Sequence, residues 1–184
     1  MPFFTPLNLR RSTLTFTCSM STSTATAAFQ KIITNPVKLK LFLFKNLPMA
    51  YLAGLRIKSL SPQQAEVTIA YTYLTKNPFK SIYFACLGMA AELASGVLSM
   101  MYLHKANPSV SMLVVDMRAE FSKKAVGVIT FTCADGGAIA AAVKNSQETW
   151  EGSSLETVSI GRNEAGEEVA RFWITWSYRA RKKK

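Results

Sequence analysis

The chain has 184 residues, 49% of them apolar and 11% aromatic, enough to bury one sizeable core and too apolar for bulk disorder. Its 22 Lys and Arg outnumber 11 Asp and Glu, giving +11, but the excess lies at the ends: no acid precedes Glu66, and Arg179, Arg181, Lys182, Lys183 and Lys184 close the chain. Residues 66–178 carry about −2, which speaks against a specific nucleic-acid binder with its cations gathered on one folded face. Cys18, Cys86 and Cys133 are odd in number and far apart, so a reducing compartment is expected rather than a disulfide framework. A single histidine, His104, excludes a multi-histidine metal site, and no GxSxG, GxGxxG or phosphate loop occurs. No metal and no separate cofactor is expected.

Residues 1–27 are rich in Ser and Thr, contain Arg10 and Arg11 and lack acids. They are expected to form an extension outside the fold, either a disordered tail ahead of a second start at Met20 or a transit peptide. A cytoplasmic location follows from the first alternative and an organellar one from the second. From Phe29 to about Leu47 the spacing predicts helix, with Asn35 as cap and Pro36 in the first turn of a second piece. Phe29, Ile33, Val37, Leu41 and Phe44 form the stripe expected to pack on the domain, and Lys31, Lys38 and Lys45 share another face. Such a basic amphipathic helix also suits contact with an anionic membrane surface.

Alternation at Leu55, Ile57 and Ser59, then at Val67, Ile69, Tyr71 and Tyr73, predicts two strands joined by a turn at Ser61-Pro62. A long apolar segment, Ile82–Leu103, lies between Asn77-Pro78 and Asn107-Pro108. Period two then returns, with Leu113, Val115, Met117, Ala119 and Phe121 on one face and Asp116, Arg118 and Glu120 on the other. Val126–Cys133 reads as a strand, Asp135–Ser146 as a helix capped by Asp135, and Thr149–Ile160 and Val169–Arg179 as strands around a turn at Gly161–Gly166. Trp150, Trp173 and Trp176 read as sheet core or partner contact.

As a helix, the 22 residues of 82–103 would extend about 33 Å, long enough for a bilayer, yet Glu92 falls at the midpoint, where a charge is costly in lipid. The segment is expected instead as a helix wrapped by a sheet. Small residues at Ala85, Gly88, Ala90, Ala91, Ala94, Ser95 and Gly96 let strands approach it closely. Spacings of three and four place Glu92 on one face with Ala85, Gly88, Met89, Ser95, Gly96 and Ser99. A carboxylate there must be functional, neutralised or paired, for example with Arg118 or with a backbone amide at a dimer interface.

The run Asn77-Pro-Phe-Lys-Ser-Ile-Tyr-Phe-Ala-Cys-Leu-Gly-Met-Ala-Ala-Glu92-Leu-Ala-Ser-Gly96, with Ala119-Glu-Phe-Ser-Lys-Lys-Ala-Val-Gly127 and Phe172-Trp-Ile-Thr-Trp176, resembles the hotdog-fold acyl-CoA thioesterase superfamily, in a PaaI-like branch of unknown function. The resemblance covers roughly residues 29–180. It implies an α+β class: a curled antiparallel sheet around a long central helix, one domain over 28–180 followed by a basic tail, 181–184. It also implies Glu92 as general base or nucleophile toward a thioester, with coenzyme A as part of the substrate. The family's His-Gly-Gly at the helix start corresponds to Tyr83, Phe84 and Ala85, so the oxyanion contact falls to the amides of Phe84 and Ala85. Asn77 would position water or the acyl group, unless it serves only the turn before Pro78. Lys123 and Lys124 would meet the coenzyme phosphates, and Tyr83, Gly88, Met89 and Ser95 would line the substrate. A homodimer or tetramer with sites between subunits is expected. The alternative is a non-catalytic acyl-CoA or lipid-binding module that keeps the pocket without the chemistry.

Overall fold

The structure, a computed structural model, describes residues 24–182, so most of the expected extension, Cys18 and the last two lysines lie outside the described residues. Three short helices open the described part of the chain: α1 (Thr24–Ile33), α2 (Pro36–Asn46) and α3 (Pro48–Leu52). They are followed by β1 (Arg56–Leu60), β2 (Ala65–Ala70), the long α4 (Phe84–Leu103), β3 (Val110–Phe121), β4 (Val128–Cys133), α5 (Gly136–Thr149), β5 (Ser153–Arg162) and β6 (Glu168–Ala180). The six strands form one antiparallel sheet in the order β1-β2-β4-β5-β6-β3, curled around α4. This is the α+β hotdog arrangement.

The break between α1 and α2 falls where the sequence puts it: Asn35 Oδ1 accepts from the N–H groups of Val37 and Lys38, each at 3.1 Å, and Pro36 starts the new helix. The break also shifts the phase of the apolar stripe. Phe29 and Ile33 are buried as expected, but beyond Pro36 the buried pair is Leu39 and Leu43, and Val37, Leu41 and Phe44 face outward.

Two more boundaries move for visible reasons. Strand β2 stops at Ala70 instead of reaching Tyr73, because the Thr75 hydroxyl donates to the Ala70 carbonyl at 2.7 Å and accepts from the Thr72 N–H at 2.8 Å, closing a turn. In β3 a bulge between Val114 and Asp116 shifts the register against β6. Val110, Met112 and Val114 before the bulge therefore share the concave face with Met117, Ala119 and Phe121 after it, and Leu113 points away, against the single face read from the sequence.

Helix α4 is long and apolar enough to span a membrane, but two-thirds (67%) of that stretch is buried within the protein, as a wrapped helix requires. The strands hold it through buried hydroxyls: Ser159 donates to the Ala91 carbonyl at 2.9 Å, Ser99 and Tyr178 share a 2.7 Å bond, and Trp176 Nε1 donates to Ser95 Oγ at 3.0 Å. Burial pushes the Tyr178 hydroxyl up to about 12, so it stays protonated in this network.

Asp135 precedes α5 but makes no side-chain cap; its Oδ2 accepts from the Val158 N–H at 2.8 Å and ties the helix start to β5. The next residue, Gly136, donates to the Gln63 carbonyl at 3.0 Å, and a Cβ there would overlap the Pro62 carbonyl oxygen. Gly137 has open space around it. Gly136→Ala should therefore cost about 2 kcal/mol or more in urea unfolding, while Gly137→Ala should stay within about 1 kcal/mol of the parent. Equal effects would show that the helix start is not clamped against the Pro62 turn.

Candidate active site

Glu92 lies two turns into α4, half-buried, with Ala85, Gly88 and Met89 on the same face. These residues, with Phe84, form one wall of a cavity of about 490 Å³. Met117, Ala119 and Phe121 of β3 and Phe172 of β6 form the other. The lining is almost wholly apolar, and no hydrogen bond or ion pair engages the Glu92 carboxylate among the described residues. Arg118 is not its partner: it bonds Glu120 at 2.7 Å and lies over the Trp173 ring at 3.6 Å. Burial without a compensating donor raises the Glu92 pKa above the ordinary carboxylate value of 4.5.

Two glycines shape this space. A Cβ at Gly88 would meet Phe172, and one at Gly96 would lie 3.3 Å from Glu92 Oε1 and 3.6 Å from Trp176. The carboxylate therefore rests over Gly96, and the β6 aromatics pack across both small positions. Ser95 is fully buried behind them, with its hydroxyl donating to the Glu92 carbonyl and accepting from Trp176. It does not line the cavity; its role here is to tie helix to sheet.

At the start of α4 the first hydrogen bonds come from Cys86 and Leu87 to the Tyr83 carbonyl, at 2.9 and 3.2 Å. The N–H groups of Phe84 and Ala85 have no protein acceptor among the described residues, and both residues border the Glu92 cavity. Two N–H groups without a protein acceptor thus lie at the positive end of a helix, in residues that border an apolar space, an arrangement suited to a developing oxyanion.

A second cavity of about 630 Å³ adjoins the first across the Phe84–Phe121 contact, whose ring centroids are 6.5 Å apart. It brings together Asn77, Tyr83, Lys123 and Lys124 from the sequence reading. Asn77 does not share a cavity with Glu92. Its side chain is spent on the turn: Oδ1 accepts from the Phe79 N–H at 3.0 Å and the Ser81 N–H at 3.2 Å, and Nδ2 reaches Ser81 Oγ at 3.0 Å. Lys123 pairs with Glu167, and Lys124 Nζ donates to the Phe79 carbonyl at 3.3 Å.

Sequence reasoning missed a third space, of about 230 Å³, that reaches Glu92 and Met89 from the other side and is walled by the α2–α3 turn, including Asn46, Pro48 and Met49. Nothing in the periodicity of that turn points toward the helix carboxylate. Cys133 takes no part: burial pushes its thiol up to about 12. Among the described residues no three His, Cys, Asp or Glu side chains are grouped to hold a metal ion.

Solved structures with the same fold include a Pseudomonas aeruginosa protein of unknown function, named a probable thioesterase, 21% identical over 82% of this chain and 99% of its own, with a TM-score of 0.68. A Chlorobaculum tepidum protein of unknown function is 15% identical, covers 82% of this chain and 99% of its own, and has a TM-score of 0.68. A Haemophilus influenzae thioesterase is 13% identical over 78% and 90%, with a TM-score of 0.55. At these identities the likeness is one of fold. No curated protein matches the sequence. The family model for the domain of unknown function DUF4442 matches residues 38–178, nearly the whole folded unit, and the chain belongs to that family.

Proposed function

We propose that the protein hydrolyses an acyl-CoA thioester, and the observation that carries this reading is an unpaired carboxylate lining an apolar cavity bordered by two residues whose helix-start amides have no protein acceptor. The thioester oxygen binds at the Phe84 and Ala85 N–H groups. Glu92 takes a proton from water, the water oxygen bonds to the carbonyl carbon, and the carbonyl electron pair moves onto the oxygen held by the amides. Collapse expels the coenzyme thiolate, which recovers the proton from Glu92, leaving a carboxylic acid and free thiol. Direct attack by the Glu92 carboxylate is the second route, through an anhydride that water then opens. A raised pKa brings the base closer to neutral pH, where proton transfer is most effective.

Glu92 lies eight positions beyond Phe84, about 12 Å along the axis, so the carboxylate must swing from Gly96 toward the helix start or be supplied by a second copy. The edge strand supports the second option. Strand β3 is unpaired on its outer side, and Leu113, Val115, Met117 and Phe121 along it are exposed. Pairing β3 with β3 of another copy would close the Glu92 cavity and make the homodimer. The coenzyme would run through the adjoining cavity past Lys123 and Lys124, with Lys123 leaving Glu167 to meet a phosphate. A binding module without hydrolysis is the alternative reading, favoured by Phe84 and Ala85, which crowd a helix start that is glycine-rich in the resembling family.

Free-thiol release from short, long and aromatic acyl-CoAs, with Glu92→Gln in parallel, tests the reading. Turnover should fall by about 10²–10⁴-fold in the variant with acyl-CoA binding retained; equal turnover sinks the assignment, and binding without release in the parent selects the binding module.

The same variant should be more stable than the parent at neutral pH. A folded-state pKa raised above 4.5 means that the folded chain holds the proton longer, so stability falls as pH rises from 4.5 through the folded pKa. The stability gain from Glu92→Gln should therefore vanish below pH 4.5, and a pH-independent gap between the melting curves would contradict a desolvated carboxylate. Leu113→Lys with Val115→Lys should convert the dimer to monomer in sedimentation velocity; an unchanged mass would place the interface elsewhere.

A further inference from the structure

The phase shift at Asn35-Pro36 leaves α2 apolar on two sides. Leu39 and Leu43 supply the contact that folding needs. The opposite stripe, Val37, Leu41 and Phe44, is exposed at 66%, 65% and 65%, and α3 extends it with Met49 at 64% and Leu52 at 54%. Phe44 and Tyr51 meet edge to face at 5.5 Å, so the two helices present one continuous surface.

At 100° per residue, Lys40 flanks this stripe on one side and Lys38 and Lys45 on the other. All three are exposed, none forms an ion pair among the described residues, and no acidic residue precedes Glu66. A central apolar ridge between rows of long amines matches the boundary of a lipid layer, where apolar side chains enter the acyl region and lysine stems reach up to phosphate. A second copy is a poor cover for this face, since two-fold pairing sets lysine rows against each other.

We propose that the α2–α3 face docks on an anionic bilayer surface. The small cavity that reaches Glu92 is walled by the α2–α3 turn, so a docked molecule would hold that opening at the lipid boundary. The docking stands on the exposed face and does not depend on hydrolysis.

The test is flotation of the full chain with phosphatidylcholine vesicles, with and without phosphatidylserine. The chain should float with the serine-lipid vesicles, release as salt rises and stay behind with phosphatidylcholine alone. Lys38→Glu with Lys40→Glu and Lys45→Glu should lower partitioning by roughly a hundredfold or more, about fivefold per lysine lost. Leu41→Ser with Phe44→Ser should lose binding while circular dichroism and the melting curve stay those of the parent. No flotation of the parent overturns the proposal. Flotation that survives both variants assigns the attraction to the basic ends and overturns it too, and a change of mass in Leu41→Ser with Phe44→Ser shows that another copy covers the face.

Discussion

Everything at this site depends on how closely β6 can approach α4. Gly88 and Gly96 leave room for Phe172 and Trp176 against the helix, and the Trp176–Ser95 and Tyr178–Ser99 hydrogen bonds hold the contact. A Cβ at Gly96 would press on Glu92 Oε1 at 3.3 Å, whereas one at Gly88 would sit in ordinary contact with Phe172 at 3.6 Å. The closeness buries α4 deeply enough to desolvate a carboxylate, yet leaves one flank open where β3 ends the sheet. Burial of the helix and the raised pKa of its single acid share one cause.

The helix start adds the complementary charge. Tyr83 enters α4 from extended backbone without a side-chain cap, and the Phe84 and Ala85 amides are left without a protein acceptor beside the cavity. A capping Ser or Asp at position 83 would satisfy one of them and weaken any oxyanion contact. The aromatic wall formed by Phe84, Phe121 and Phe172, in edge-to-face contacts of 6.5 and 5.7 Å, separates the apolar space near Glu92 from the lysine-edged space beside it. An acyl chain and a phosphorylated carrier would each find a matching environment.

Much of this was legible in the sequence because it depends on local chemistry. Glu92 stands out as the one acid in a long apolar helix, and the small residues around it announce a close-packed sheet; Asn35-Pro36 spells a helix start wherever it occurs. Two features were not legible, and each involves a distant partner. The β3 bulge absorbs Val115 and turns Leu113 outward, which only the pairing with β6 reveals. The outward phase of Val37, Leu41 and Phe44 follows from which turn of α2 meets the core, and a helix that is apolar on two sides offers both. Asn77, by contrast, carried a turn reading in the sequence beside the catalytic one, and its amide bonds Phe79 and Ser81, two and four residues on.

In the proposed reaction one bound thioester touches the α4 amides and the residue 92 side chain together. The crystal structure of the Glu92→Gln chain with an intact acyl-CoA tests it most directly. The carbonyl oxygen is expected at the Phe84 and Ala85 amides, the carbonyl carbon within about 3.5 Å of the position 92 side chain of the same or a second copy, and the phosphates near Lys123 and Lys124. A thioester bound away from α4, or one whose carbonyl faces neither amide, would contradict it.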